Sequence, residues 1–553
     1  MNRAAILHIP MSEYAHALSE TRVVFRLRVA RDDILRCSFH YADRACRVNP
    51  VIFTEESMRV VFSDSLYDYW EAEFDTLYKR ICYYFKLYDG VETRLYYADF
   101  FHDSEGTERS EYYQLPFVHR ADIAAAPVWA TDAITYNIFP DSFATARRHI
   151  SLRPTRREWQ GELTRGKLGG TLRGIVENVD YLVELGVNCV YINPIFAAGE
   201  YHKYDLLDYY HVDPCFGTDD DCREMVRIMH ENGIRVILDG VFNHCGWRFF
   251  AFDDVVKNGG NSRYADWFYR LEYPVVRPEN GGDIPGYECF AYERLMPKLN
   301  TANPEVIAYF TDVCQYWLRE FKIDGWRLDV ASEVDDAFWR AFCRTAREEN
   351  ADALIIGEVW ESANHWLDGS MFHSSMNYDF RKHCRDFFAR ERLDAQTFND
   401  RVVHMLTRYR KNLTYAQLNL LDSHDVSRFL SLCGGDKEKF KLAVLFQMCF
   451  VGIPSVFYGD EQGISGVLED EYRHHMIWDG DAELFDFYRK AIALRKQYPA
   501  LRRGRFRTLC VNGRVFAFER ACGAERIIVA LNTSNWPGKE IWRGRNFIIT
   551  KTE

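Results

Sequence analysis

Between residues 134 and 460, short β-branched and apolar runs alternate with amphipathic helical patterns, and the runs number eight. They fall at 134–140, 189–195, 235–241, 323–330, 353–359, 376–380, 415–423 and 454–460. Strands separated by helices specify a parallel sheet, and eight such units predict a (β/α)8 TIM barrel. Most intervals are roughly 30–45 residues, the length of one crossover unit. The third is about twice that, and the Gly-, Asn- and Tyr-rich stretch inside it reads as a small inserted domain at about 245–300. The flanks have a different period. Val23–Val29, Met58–Phe62 and Arg80–Leu87 alternate apolar and polar residues between turn signals such as Asp89-Gly90, which predicts an N-terminal β-sandwich over 1–120. Periodicity lapses at Ala124-Ala125-Ala126-Pro127, a linker into the barrel at 121–502, and alternation returns in a short C-terminal β domain at 503–553.

The 553 residues are 47% hydrophobic and 27% charged, the mix of a folded chain. A net charge of -12 argues against nucleic-acid or anionic-membrane partners. Aromatic residues reach 15%, enough for large cores and also for stacking on the flat apolar faces of sugars. The fifteen cysteines are scattered without a C-x-x-C pair, which speaks against a disulfide framework or structural zinc and for a reducing, cytoplasmic setting. Arg3, Pro10 and Glu13 interrupt the start where an export signal needs an apolar run. The most apolar stretch, 442–458, is broken by Gln447, Gly452 and Pro454 and reads as buried helix, turn and strand, so no membrane span is expected.

Barrel enzymes place their chemistry at the C-terminal ends of the strands. Those ends carry Asp239 and Asn243-His244 after the third strand and Arg327 and Asp329 on the fourth. Glu358 ends the fifth, and His424-Asp425 follow the seventh. Three carboxylates, Asp329, Glu358 and Asp425, therefore converge on one mouth. Their mutual repulsion can keep one protonated as general acid while another stays ionised as nucleophile, the machinery of a retaining glycosidase. Arg327, two residues from Asp329 on the same strand face, can hold that carboxylate ionised. The cluster could instead bind Mg²⁺ or Ca²⁺, although two histidines and an arginine in the ring suit a hard cation poorly.

These strings resemble the α-amylase superfamily of glycoside hydrolases. Its four signature regions are matched in order by Asp239-Gly-Val-Phe-Asn-His244, Gly325-Trp-Arg-Leu-Asp-Val-Ala331, Gly357-Glu-Val-Trp360 and Leu421-Asp-Ser-His-Asp425. Met296-Pro-Lys-Leu-Asn300, His202-Lys-Tyr-Asp205, Asn193-Pro-Ile-Phe196 and Tyr136-Asn-Ile-Phe-Pro140 are similar to the cyclomaltodextrinase, neopullulanase and maltogenic amylase branch, and the N-terminal region resembles that branch's β-sandwich. The resemblance implies Asp329 as nucleophile, Glu358 as acid and base, and Asp425 as the group that holds the distorted sugar. It implies Arg327, Tyr204, His244 and His424 around the cleaved glucose, and Glu333 and Trp360 on the leaving-group side, where they favour transglycosylation. Arg473 would help close the non-reducing side.

Asp239 is expected to support Arg327, and His202, Asp205 and Asn243 to shape their loops, while Trp360 could equally be core packing. The implied substrates are cyclodextrins, maltooligosaccharides and pullulan, cut at α-1,4 bonds. The implied assembly is a homodimer through the N-terminal domain. An α-glucosidase or glucanotransferase is the alternative on this scaffold, and a non-catalytic glucan-binding protein the remote one. No cofactor is expected. Calcium-binding members carry Asn and Asp after the first strand, whereas Phe139-Pro-Asp-Ser-Phe143 is followed here by Ala-Thr-Ala-Arg-Arg-His, and Thr171 stands where Asp is usual. Ser332 and Glu361 also depart from the branch and point to a different acceptor preference. The seven Lys and Arg within 147–167 read as a solvated or interface-facing loop.

Overall fold

A computed structural model describes residues 1–278, 284–534, 542–544 and 547–552. Eight parallel strands form the central sheet: Thr135–Ile138, Cys189–Ile192, Arg235–Gly240, Gly325–Leu328, Leu354–Gly357, Ser374–Ser375, Leu418–Leu420 and Ile453–Phe457. They are called strands one to eight below. Each pairs with its sequence neighbours and strand one pairs with strand eight. The remaining gap, between six and seven, is bridged in parallel by Met376 and Leu418, with the Asn377 N–H donating to the Leu418 carbonyl at 2.8 Å. The ring is thereby closed. Amphipathic helices cover it. In Pro304–Glu320, Asn303 caps the first turn, Pro304 opens it, and Val306, Phe310, Val313, Cys314 and Trp317 line the buried stripe at helical spacing.

Strand six departs from expectation. The apolar residues at 376, 378 and 380 mimic strand alternation, but Asn377 accepts the N–H of Phe380 and caps the helix Tyr378–Cys384. The strand itself is the polar pair Ser374–Ser375, two residues earlier. Other strands are shorter than their apolar runs because the ends turn into loops or helix starts, as at Pro140, which opens the helix Pro140–Phe143. The stretch 442–458 resolves into the helix Lys437–Cys449 followed by strand eight. Among the described residues no helix is long and apolar enough to cross a membrane.

The N-terminal region is two antiparallel sheets face to face. One contains Arg22–Ala30 and Tyr67–Asp75, and the other Arg36–Asp43 and Ile81–Tyr88. Inward Phe25, Phe39, Phe74, Tyr83 and Phe85 form a separate core between them. Ser65 bonds Asp400 and Arg26 donates to the Thr407 carbonyl, seating the sandwich against the helix Ala395–Thr407. Lys411 reaches the buried Glu71 and the partly exposed Glu73, its backbone N–H donates to His16 at 3.0 Å, and Asn412 donates to the Leu18 carbonyl. Residues 411 and 412 precede strand seven, so the sandwich sits toward the opposite end of the barrel from the mouth. Between strands three and four lie the helix Phe250–Asn258 and the hairpin Cys289–Phe290/Glu293–Pro297. The basic stretch forms the two-stranded hairpin Thr155–Trp159/Glu162–Gly166, where a loop was expected. The C-terminal antiparallel sheet, from Arg505–Asn512 onward, shares the barrel's core through Phe506, Phe516 and Phe518.

Candidate active site

Strands three, four and five are in register so that Asp239 pairs with Arg327 and Leu328 with Gly357. The next residues stay fastened: the Asp329 N–H donates to the Gly240 carbonyl and the Glu358 N–H to the Leu328 carbonyl, both at 2.9 Å. This places Asp239, Arg327, Asp329 and Glu358 at one level of the mouth. Val330 then turns with φ 44° and ψ 43°, a left-handed conformation rare for a β-branched residue that costs about 1–3 kcal/mol. The turn aims the Val330 N–H at Glu358 Oε2, at 2.9 Å.

Arg327 is fully buried at the centre. Its Nη1 donates to Asp239 Oδ1 and to Asp329 Oδ1, both at 2.8 Å. Nη2 lies 2.8 Å from Glu358 Oε1 and 4.0 Å from Asp425 Oδ2. One guanidinium therefore faces four carboxylates. Asp239 is wholly buried and saturated, accepting from the hydroxyls of Tyr191 at 2.6 Å and Tyr204 at 2.9 Å. Burial pushes Asp329 well above the ordinary carboxylate value; Arg327 opposes this, and Glu358, Asp239 and Asp425 add to it. Asp329 is thus biased toward its protonated form in the free site. Burial would also raise Asp425, but His424 at 3.0 Å, Arg327 and Arg473 hold it down at about 2. Asp425 is the permanently ionised member.

Around this centre is a cavity of about 700 Å³ whose walls include His202, Tyr204, His244, Phe290, Asp329, Glu333, Glu358, Trp360, Asp425 and Arg473. The Tyr204 ring lies parallel to His424, its hydroxyl 2.6 Å from Nε2. His244 stacks on Phe290, is only 1% exposed, and has no partner at Nε2. Burial and Lys298 lower it to about 3, so the ring is neutral. Burial likewise lowers His202 to about 4; its Nδ1 accepts the Tyr204 N–H at 3.1 Å. Arg473 donates from Nε to the His424 carbonyl at 2.8 Å and places Nη2 3.5 Å from Asp425. Glu333 pairs with Lys298, which also bonds Asn243. Trp360 is 40% exposed on the cavity wall, not core packing.

Asp205 stands apart from the cavity walls and accepts the Glu200 N–H at 3.0 Å, so it shapes the loop. Tyr191, Asn193, Phe290, Lys298, Val330 and Tyr378 join the site without having been singled out as functional. Strand alternation from Asn193 back to Tyr191 could have found Tyr191.

The residues after strand one do not make a calcium donor set. Asp141 is buried and accepts the backbone N–H groups of Lys167, Leu168 and Gly169 at 2.9–3.1 Å. Thr171 uses its hydroxyl to cap the helix Leu172–Val176. Among the described residues no group of three His, Cys, Asp or Glu side chains is placed to hold a metal ion.

Residues 137–479 match the family described as alpha amylase, catalytic domain, and residues 1–119 match the alpha amylase N-terminal ig-like domain. The chain is 41% identical over 544 residues to a cyclomaltodextrinase of Geobacillus thermopakistaniensis (strain MAS1), covering 97% of this chain and 92% of that one. It is 39% identical over 537 residues to neopullulanase 2 of Thermoactinomyces vulgaris, covering 96% and 90%. A solved cyclomaltodextrinase structure superposes with a TM-score of 0.89 at 39% identity, covering 96% of this chain and 91% of that one. With its catalytic barrel, its N-terminal domain and nearly its whole length aligned to such relatives, the chain belongs to the α-amylase family of glycosidases.

Proposed function

We propose that this glycosidase hydrolyses α-1,4-glucosidic bonds of cyclodextrins, maltooligosaccharides and pullulan with retention of configuration, and transfers glucosyl units to sugar acceptors as a side reaction. One observation carries the retaining course: Asp329 and Glu358 each place a carboxylate oxygen 2.8 Å from adjacent nitrogens of the one Arg327 guanidinium. That holds the two carboxyls close, as the separation of about 5–5.5 Å in a retaining pair requires. The substrates are those named by the relatives aligned over the same length.

In this reading the ionised Asp329 attacks the anomeric carbon as Glu358 gives a proton to the leaving oxygen. Glu358 then takes a proton from water, which opens the glycosyl-enzyme. Arg327 stabilises the charge that moves between them, and Asp239 keeps Arg327 in place. Asp425, ionised at about 2, accepts hydrogen bonds from hydroxyls of the distorted sugar. His244 Nε2, buried without a partner, is ready for a hydroxyl of the same glucose, and Tyr204, His424 and Arg473 complete that subsite. Glu333 and Trp360 face the departing sugar. Acid, base and nucleophile are all side chains, so the proposed chemistry is cofactor-free.

The setting is proposed to be the cytoplasm, consistent with fifteen unpaired thiols. A homodimer is also proposed. The chain's own sandwich is seated on the helix Ala395–Thr407 and residues 411–412, toward the far end of the barrel, so a sandwich covering the mouth would be a second copy's. A monomer in sedimentation at micromolar concentration with full cyclodextrin activity would sink that assembly.

The test is product chromatography after incubation with β-cyclodextrin, soluble starch and pullulan, beside an Asp329→Asn control. Ring opening to maltose and glucose, slow attack on starch and an inert control are expected. Starch preferred over the ring would make it an ordinary α-amylase. Glucose released only from linear chain ends would favour the α-glucosidase alternative.

A further inference from the structure

Trp360 and Glu361 follow strand five and both line the cavity. The indole of Trp360 is layered on Tyr378 with centroids 3.8 Å apart and planes 10° from parallel, which fixes its orientation while 40% of the residue stays exposed. Glu361, beside it, forms no hydrogen bond or ion pair among the described residues. Glu333, in the same cavity, is different: its carboxylate is neutralised by Lys298 at 3.1 Å. Buried His244, with Nε2 unpartnered, marks this same cavity as one that receives a polar ligand.

A neutral sugar on Trp360 uses only the dispersion of a ring face, and Glu361 then gains no more than a hydroxyl contact. A sugar bearing an ammonium group uses both residues. An indole face attracts a cation through its quadrupole, and an unpaired carboxylate supplies the counter-charge. We propose that the leaving-group side of the cleft selects amino sugars in their protonated form, with Trp360 and Glu361 as the specificity-determining pair. The proposal rests on the reading of this cavity as a sugar site given above. By the same charge, a phosphorylated sugar is the least favoured occupant.

Ligand-observed NMR titrations of the full chain with glucosamine, N-acetylglucosamine and glucose at low salt test this. At about pH 6 the amine of glucosamine is protonated, as an α-amino group is. Glucosamine is expected to bind about three- to tenfold more tightly than glucose. N-acetylglucosamine, with the same bulk at that carbon and no charge, should gain nothing. The glucosamine-to-glucose ratio should fall toward one in Glu361→Gln and at high salt. Because the ratio is taken within one protein, a general change in affinity cancels.

Equal binding of glucosamine and glucose, a preference that survives Glu361→Gln, or no binding of any of the three at tens of millimolar would each overturn the proposal. β-Cyclodextrin opening by the same preparation reports separately on the glucan reading. Ring opening without an amine preference rejects only the proposal, and an amine preference without ring opening rejects only the glucan activity.

Discussion

Arg327 offers one positive charge to four carboxylates, and the site works through what that single charge cannot neutralise. Asp239 takes one share and is buried with no further chemistry open to it, while burial and the neighbouring carboxylates push Asp329 well above the ordinary carboxylate value. Asp329→Asn should lower kcat by about 10⁴-fold or more with the fold intact, read with β-cyclodextrin and circular dichroism. Glu358→Gln should be nearly as damaging on cyclodextrin but should recover rate on a glycosyl fluoride, whose leaving group needs no proton.

The pH dependence has a definite sign. Asp329 must be ionised to attack, and burial among neighbouring carboxylates raises its value. The acid limb of kcat/KM, which follows deprotonation of Asp329 in the free enzyme, should therefore lie above the ordinary carboxylate range, with activity gained as pH rises through it. The three carboxylates were legible because each sits at a strand end with chemistry-bearing neighbours. The left-handed turn at Val330, which aims an N–H at Glu358, was not, since Val carries no sequence signal for positive φ. The Trp360–Tyr378 stack joins residues on different barrel units and has no local signature.

Each barrel element was readable in proportion to its apolar signal. Strand six is two serines, so nothing in its own residues announces a strand, and the next residues imitate one before Asn377 caps the following helix. Where backbones approach closely, the elements are intolerant. A Cβ on Gly325, at the start of strand four, would lie 2.1 Å from the Leu354 carbonyl oxygen of strand five. Gly325→Ala should cost about 1–3 kcal/mol in denaturant unfolding and lower activity by shifting the strand that bears Arg327.

The loop after strand two gives a second test. Burial pushes Asp205 up to about 7 against the Glu200 N–H and Lys203. The stability it contributes is complete below the ordinary carboxylate value and is lost as pH rises through about 7. Asp205→Asn mimics the protonated form, so the Tm of the variant relative to wild type should rise between about pH 5 and about pH 8.

The whole molecule divides unevenly. The C-terminal sheet shares the barrel's core, whereas the sandwich has its own and meets the barrel through polar contacts and through Phe62, which packs against the barrel's core. The two cores were foreseeable from the change of hydrophobic period near the linker. The docking was not, because its partners lie hundreds of residues apart. Lys411→Met would leave the buried Glu71 and the partly exposed Glu73 each short of a cation. It should cost about 1–3 kcal/mol, seen in calorimetry as an earlier, separate transition of the sandwich.

That docking also sets an order of events at the ribosome. Ser65 meets Asp400 across 335 residues, and His16 meets Lys411 across 395. At about 5–20 residues per second, the sandwich is complete and can fold roughly 15–60 s before its seat exists. Through that interval its underside, with His16, Glu71 and Glu73, is bare to solvent. Translation arrested just short of the helix at 395 should leave this face open to a protease, and arrest well beyond 412 should not. The N-terminal domain is therefore made twice, first as a free sandwich and later as part of the barrel.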